Sequence, residues 1–267
     1  MRRSAAVLAV IAAVSLAACS SSSGGGSAST SPTASTSSSS AAAISGPITV
    51  FAASSLKGAF TDIGTAFQQA YPGTTVTFNF GPSSGLATQI TQGAPADVFA
   101  SASKKTMETV TTAGDATNTE VFATNTMEIA TPASGGASVT SLADLSKPSI
   151  KVAVCQKDVP CGVAAQTLFD QNKITVTPST EEVDVKAVLS KVELGEVDAG
   201  IVYVTDVKAA ADKVKGIEIP AAQNVETRYP IAPITKSANS ATAQAFVDFV
   251  LSRAGQTILG NAGFAQP

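Results

Sequence analysis

Residues 48–100 switch repeatedly between strand-like and helix-like hydrophobic spacing, and this alternation restricts the fold more than any other feature. Ile48-Thr49-Val50-Phe51 reads as a strand. Residues 56–70 carry Leu56, Phe60, Ile63 and Phe67 at helical spacing. Thr75-Val76-Thr77-Phe78-Asn79-Phe80 alternates as a second strand, residues 84–92 form a short helix, and Asp97-Val98-Phe99-Ala100 is a third strand. A β-α-β-α-β order implies a parallel sheet covered by helices on both faces, since each crossover must return the chain across the sheet.

The pattern continues further along. Residues 126–130 read as a strand leaving the first unit, and residues 142–145 as a short helical piece. Lys151-Val152-Ala153-Val154 is a strand, followed by helices over 163–172 and 183–194, the latter with apolar Val185, Val188, Leu189 and Val192. Ala199-Gly200-Ile201-Val202-Tyr203 is a buried strand, residues 228–233 cross back, and helices over 242–251 and 254–259 close the chain. The order predicts two α/β lobes joined by two crossings: 47–125 plus 229–267, and 126–228.

The amino-terminal end belongs to neither lobe. Arg2 and Arg3 precede an apolar run over 5–16 that is too short to span a bilayer comfortably, and Leu16-Ala17-Ala18-Cys19 follows. This is the layout of a signal peptide, residues 1–18, with a bacterial lipobox that makes Cys19 the lipid-carrying first residue of an exported protein. Residues 20–46 are almost all Ser, Thr, Ala and Gly without a charge, so 19–46 reads as a lipidated, disordered tether. Its root-mean-square reach is about 28 Å.

The formal net charge is −3, with no Trp and no His. No basic block or aromatic cluster appears, which argues against nucleic acid, and the missing His removes the commonest general base and metal ligand. Beside Cys19 the chain has Cys155 and Cys161, six apart. In an exported protein so close a pair reads as a disulfide, contributing about 2 kcal/mol in the chain-entropy account. No further Cys or His could complete a zinc site.

Two turns carry the chemistry: Ala52-Ala53-Ser54-Ser55-Leu56 and Gly81-Pro82-Ser83-Ser84-Gly85-Leu86. Each joins a strand to a helix. A helix start leaves backbone N–H groups unpaired and carries partial positive charge, and serine adds a hydroxyl donor. Facing one another, such turns would hold an oxyanion without Lys or Arg. The second turn also satisfies the G-x-S-x-G pattern of serine hydrolases. A chain without His cannot build that triad, which leaves only a Ser83–Lys pairing through Lys57 or Lys104, with no spacing in its favour. Glu181, Glu182 and Asp184 precede a helix start, where acidic residues complement the dipole, and they carry no catalytic role.

Residues 48–56, 83–90 and 93–102, with Val159-Pro160-Cys161-Gly162 and Gly200-Ile201-Val202-Tyr203, resemble the periplasmic molybdate-binding proteins of ABC transporters. The resemblance covers most of 47–263. It implies the two-lobed type II periplasmic binding fold: an α/β architecture in which each lobe is a mainly parallel sheet flanked by helices, with two crossover segments. It also implies a tetrahedral oxyanion held between the lobes by neutral donors. Carried over by motif, these are the Ser55 and Ser83 hydroxyls, the backbone N–H groups of Cys161 (where the family usually has Ala) and Val185, and the Tyr203 phenol.

Such a set suits a fully deprotonated dianion. Hydrogen phosphate would want a carboxylate acceptor, which the motifs do not supply. Molybdate is the implied ligand, with tungstate indistinguishable from it. Sulfate, a chelated metal, a lipid-anchored hydrolase and a surface module without a small ligand remain the alternatives. The resemblance further implies a non-enzymatic monomer without cofactor, handing its ion to a membrane permease, with hinges near Asn125 and Tyr229.

Overall fold

The computed structural model describes residues 44–134 and 138–267. The signal peptide, Cys19 and all but the last residues of the tether lie outside the described residues.

The first lobe begins with β1 (Gly46–Ala53), a 3-10 turn over Ser54–Leu56 and α1 (Lys57–Ala70). It continues through β2 (Thr74–Gly81), α2 (Ser83–Thr91), β3 (Val98–Ala100) and α3 (Lys104–Thr112). β1 pairs in parallel with both β2 and β3. Side chains of a strand alternate between its two faces, and the packing follows that rule. Ile48, Val50 and Ala52 join one apolar cluster with Val98 and Ala100, while Phe51 and Phe99 enter a second cluster on the opposite face. α1 buries Phe60, Ile63 and Phe67 in the first of these. Phe60 packs edge-on against Phe246, and Phe67 does the same. A buried Phe contributes about 1.5–3 kcal/mol, so this aromatic group is a principal anchor of the lobe.

The chain then crosses on β4 (Glu120–Pro132). The second lobe comprises β5 (Val152–Cys155), α4 (Pro160–Gln171), β6 (Thr180–Glu182), α5 (Val185–Glu193), β7 (Ala199–Tyr203), α6 (Val204–Ala210) and β8 (Val214–Glu218). Its core is a separate cluster drawn from residues 127–219. β5 pairs in parallel with β6 and β7. β9 (Glu226–Pro233) returns to the first lobe, where α7 (Ser240–Leu251) and α8 (Arg253–Ala262) pack.

The two crossings are one antiparallel pair. β4 runs beside β9 from Glu120 to Thr126 and beside β7 and β8 from Met127 onward. β9 in turn pairs antiparallel with β3. The sheet is therefore mixed, parallel at the outer strands of each lobe and antiparallel where the chain passes between them. A long strand shared by two sheets has to oppose strands of both, which the local sequence period does not reveal.

The elements expected from the sequence are present, with shifted ends. α4 starts at Pro160 rather than 163, because Pro at the first helical position forfeits only an N–H that has no partner there. Sequence periodicity missed α3, β6, α6 and β8. α3 is rich in Lys and Thr and has only Met107 and Val110 as buried apolar side chains, too few to stand out as a helical run. α6 follows β7 with no intervening turn, so period-2 and period-3.6 signals abut.

Candidate functional site

Both lobes turn the carboxyl ends of their parallel strands toward one cavity, as open α/β sheets do at ligand sites. From the first lobe come Ala53, Ser54 and Ser55 after β1, Gly81 to Ser83 at the β2–α2 junction, and Ala102 after β3. Facing them are Val159, Pro160 and Cys161 at the start of α4, Asp184 and Val185 at the start of α5, and Tyr203 at the end of β7. The cavity volume is about 20 Å³, room for a small ion or water but not for an organic substrate of ordinary size. Ser55, Ser83, Cys161, Val185 and Tyr203, scattered along the sequence, all line it. No Lys or Arg among the described residues does, and neither Lys57 nor Lys104 reaches it.

The donor supply follows from how the helices begin. The 3-10 turn at Ser54, α2 and α4 all start without a capping side chain, so their first N–H groups are left to whatever occupies the cavity. Elsewhere Ser103 caps α3 and Ser252 caps α8, although α7, remote from the cavity, is also uncapped. The Ser83 hydroxyl accepts the Ala102 N–H at 3.1 Å, which leaves its proton for another acceptor.

Tyr203 is the most telling group. Its side chain is 1% exposed, and its hydroxyl has no hydrogen-bond partner. Burial above all, with the neighbouring Tyr229 and the charge of Asp206, pushes the phenol well above its usual range, so it stays protonated as a donor. A buried polar group left unpaired costs about 1–3 kcal/mol, and its place on the cavity wall supplies the physical reason to retain it.

Four side chains around the site were not legible as a group in the sequence. Ser54 and Ser55 are neighbours, but the tight rotation per residue of a 3-10 turn sends them to different partners. Ser54 donates to Asp184 Oδ2 at 2.6 Å, across from one lobe to the other. Ser55 Oγ meets the Tyr229 hydroxyl at 3.0 Å. Asp184 also caps α5, with Oδ1 accepting the Ala187 N–H at 2.9 Å. The expectation that no carboxylate borders the donor set is corrected here: Asp184 lines the cavity, because the start of α5 lies at the cleft and its capping residue comes with it.

Behind the cavity, Asp206 is fully buried. Its Oδ2 accepts the Tyr203 N–H at 3.1 Å, and its Oδ1 lies 2.7 Å from Lys186 Nζ. Burial pushes the Asp206 carboxyl upward, while Lys186 opposes the shift. The pair ties the end of β7 to the first turn of α5, and so fixes Tyr203 relative to Val185. Cys155 and Cys161 are disulfide-bonded, with Cα atoms 5.7 Å apart. Beside them, a Cβ at Gly162 would lie 1.8 Å from the Gln156 carbonyl oxygen, so only glycine lets α4 start so close to the preceding loop.

A family profile described as bacterial extracellular solute-binding protein matches residues 48–265. The chain belongs to that family. Among curated relatives of this solute-binding protein, molybdate-binding protein ModA of Mycobacterium tuberculosis is 46% identical over 82% of this chain and 85% of its own. ModA of Escherichia coli is 31% identical over 83% of this chain and 90% of its own. Among solved structures, the periplasmic molybdate-binding protein of Azotobacter vinelandii superposes with a TM-score of 0.71 at 22% identity, covering 82% of this chain and 99% of that one. The sulfate-binding protein SubI of Mycobacterium tuberculosis gives 0.69 at 18% identity, covering 82% and 86%. At these identities the two structures establish the fold alone. The family and the curated relatives named above are solute-binding proteins, which is consistent with a non-enzyme.

Proposed function

We propose that this solute-binding protein captures molybdate, and equally tungstate, between its lobes and delivers it to an ABC permease. The observation that carries the proposal is the unpaired, buried Tyr203 hydroxyl on a small cavity whose other donors are serines and helix starts. The 46% identity to a relative named for molybdate supports the choice of ion. Ser55, Ser83 and Tyr203 would donate through hydroxyls, and Cys161 and Val185 through backbone N–H. Each such charge-assisted bond contributes about 1.5–3 kcal/mol, so a handful would outweigh ion dehydration and give submicromolar binding. The ion is cargo, and no cofactor is needed.

The lobes correspond to 47–125 plus 229–267 and to 126–228, hinging where β4 and β9 run side by side near Asn125 and Tyr229. Lipid on Cys19 would anchor a monomer at the outer face of the cytoplasmic membrane. Calorimetry with molybdate, tungstate, sulfate and phosphate tests the ligand. Molybdate and tungstate are expected to bind alike and well ahead of the others, and tighter sulfate than molybdate binding would overturn the proposal.

A further inference from the structure

Asp184 is the charged residue on the cavity wall, and a carboxylate beside an anion site requires an explanation. Helix capping accounts for only one of its oxygens, through the Ala187 N–H. The other takes the Ser54 hydroxyl from the opposite lobe at 2.6 Å. Both residues line the cavity, and they belong to elements that meet only because the lobes face one another. Ser54 therefore spends its single proton on Asp184 and is withdrawn from the donor set, whereas Ser55 and Ser83 are not engaged with that carboxylate.

The chemistry of the two classes of oxyanion bears on this pairing. A fully deprotonated dianion needs only donors. Hydrogen phosphate carries a P–O–H proton that must find an acceptor, and an unpaired donor in a buried site is costly. An open carboxylate oxygen at the wall would meet that need. We propose that Ser54 and Asp184 form a specificity-determining pair, in which the Ser54 hydroxyl masks the Asp184 carboxylate and so excludes protonated oxyanions. Masking and lobe contact are then one event, since the mask is supplied by the other lobe. The proposal rests on the oxyanion reading given above.

The test is phosphate calorimetry on the full-length chain and three variants. Ser54→Ala removes the mask and keeps the carboxylate, so phosphate affinity is expected to rise by about tenfold or more, the scale of one charge-assisted hydrogen bond. Asp184→Asn keeps an amide oxygen to cap α5 but sets an NH2 donor against Ser54 in place of the second carboxylate oxygen, and with no carboxylate left no gain for phosphate is expected. The double variant S54A/D184N is likewise expected to show no gain. An unchanged phosphate affinity in S54A overturns the proposal. So does an equal gain in S54A and S54A/D184N, which would assign the effect to added space. Should S54A fold poorly, Ser54→Cys supplies a near-isosteric poor donor for the same comparison. The unsubstituted protein titrated with molybdate reports separately on the oxyanion reading, so the two failures are distinguishable.

Discussion

Ser83 and Tyr203 both offer hydroxyl protons to the cavity, yet their own hydrogen bonds differ. Ser83 already accepts the Ala102 N–H, whereas the Tyr203 hydroxyl has no partner. The two substitutions should therefore share one effect and oppose in another. Ser83→Ala and Tyr203→Phe are each expected to weaken molybdate binding about tenfold or more by calorimetry. Without ligand, S83A orphans a buried N–H and should lower unfolding free energy by about 1–3 kcal/mol in urea. Y203F removes an unpaired buried group and should raise it by about 1 kcal/mol. Equal stability losses in both would mean that Tyr203 has a structural partner. Tyr229 illustrates what a sequence hides at this scale. It is a crossing-strand residue by pattern, but in space its hydroxyl sits on Ser55, and nothing local to 229 announces that contact.

At the scale of elements, two of the helices that open on the cavity leave their first N–H groups without a side-chain partner, whereas α5 is capped by Asp184. α2 and α4 begin with Pro82 and Val159 at their caps and use no side chain there. The small-residue turns before α1 and α2 were readable as anion-holding starts, because strand, turn and helix signals follow in order along the chain. α5 was readable as a helix but not as a cleft element, since Asp184 is an ordinary cap by sequence.

A structural cap far from the site offers a contrast. Asp144, in the 3-10 turn Leu142–Ser146, is held well below the usual carboxylate range by Lys147 first and by the Thr140 N–H next. A carboxyl with a depressed folded-state pKa stabilises above its unfolded value and loses that contribution as pH falls. Stability should thus decline from about pH 4 downward. Asp144→Asn is expected to flatten that limb in an acid titration followed by circular dichroism, and an unchanged limb would remove Asp144 from the account.

For the molecule as a whole, a ligand bound between lobes stabilises the folded state by mass action. Molybdate at about 100 times its dissociation constant should add about 2.7 kcal/mol, raising the melting temperature by about 5–10 °C, while phosphate at the same concentration should leave it unmoved. A melting point indifferent to every oxyanion would instead favour a surface module.

The sequence by itself determined the class of fold, the order of most strands and helices, and the two serine turns, because hydrophobic period and turn chemistry act over a few residues. It also carried the family resemblance that picks out Cys161, Val185 and Tyr203. Only the tertiary structure decided that β4 and β9 form one antiparallel crossing pair, that Asp184 stands on the cavity wall, that Ser54 reaches it from the other lobe, and that Asp206 and Lys186 brace Tyr203 from behind. Those contacts join residues far apart in the chain, and their energies depend on burial and angle, which no local spacing encodes.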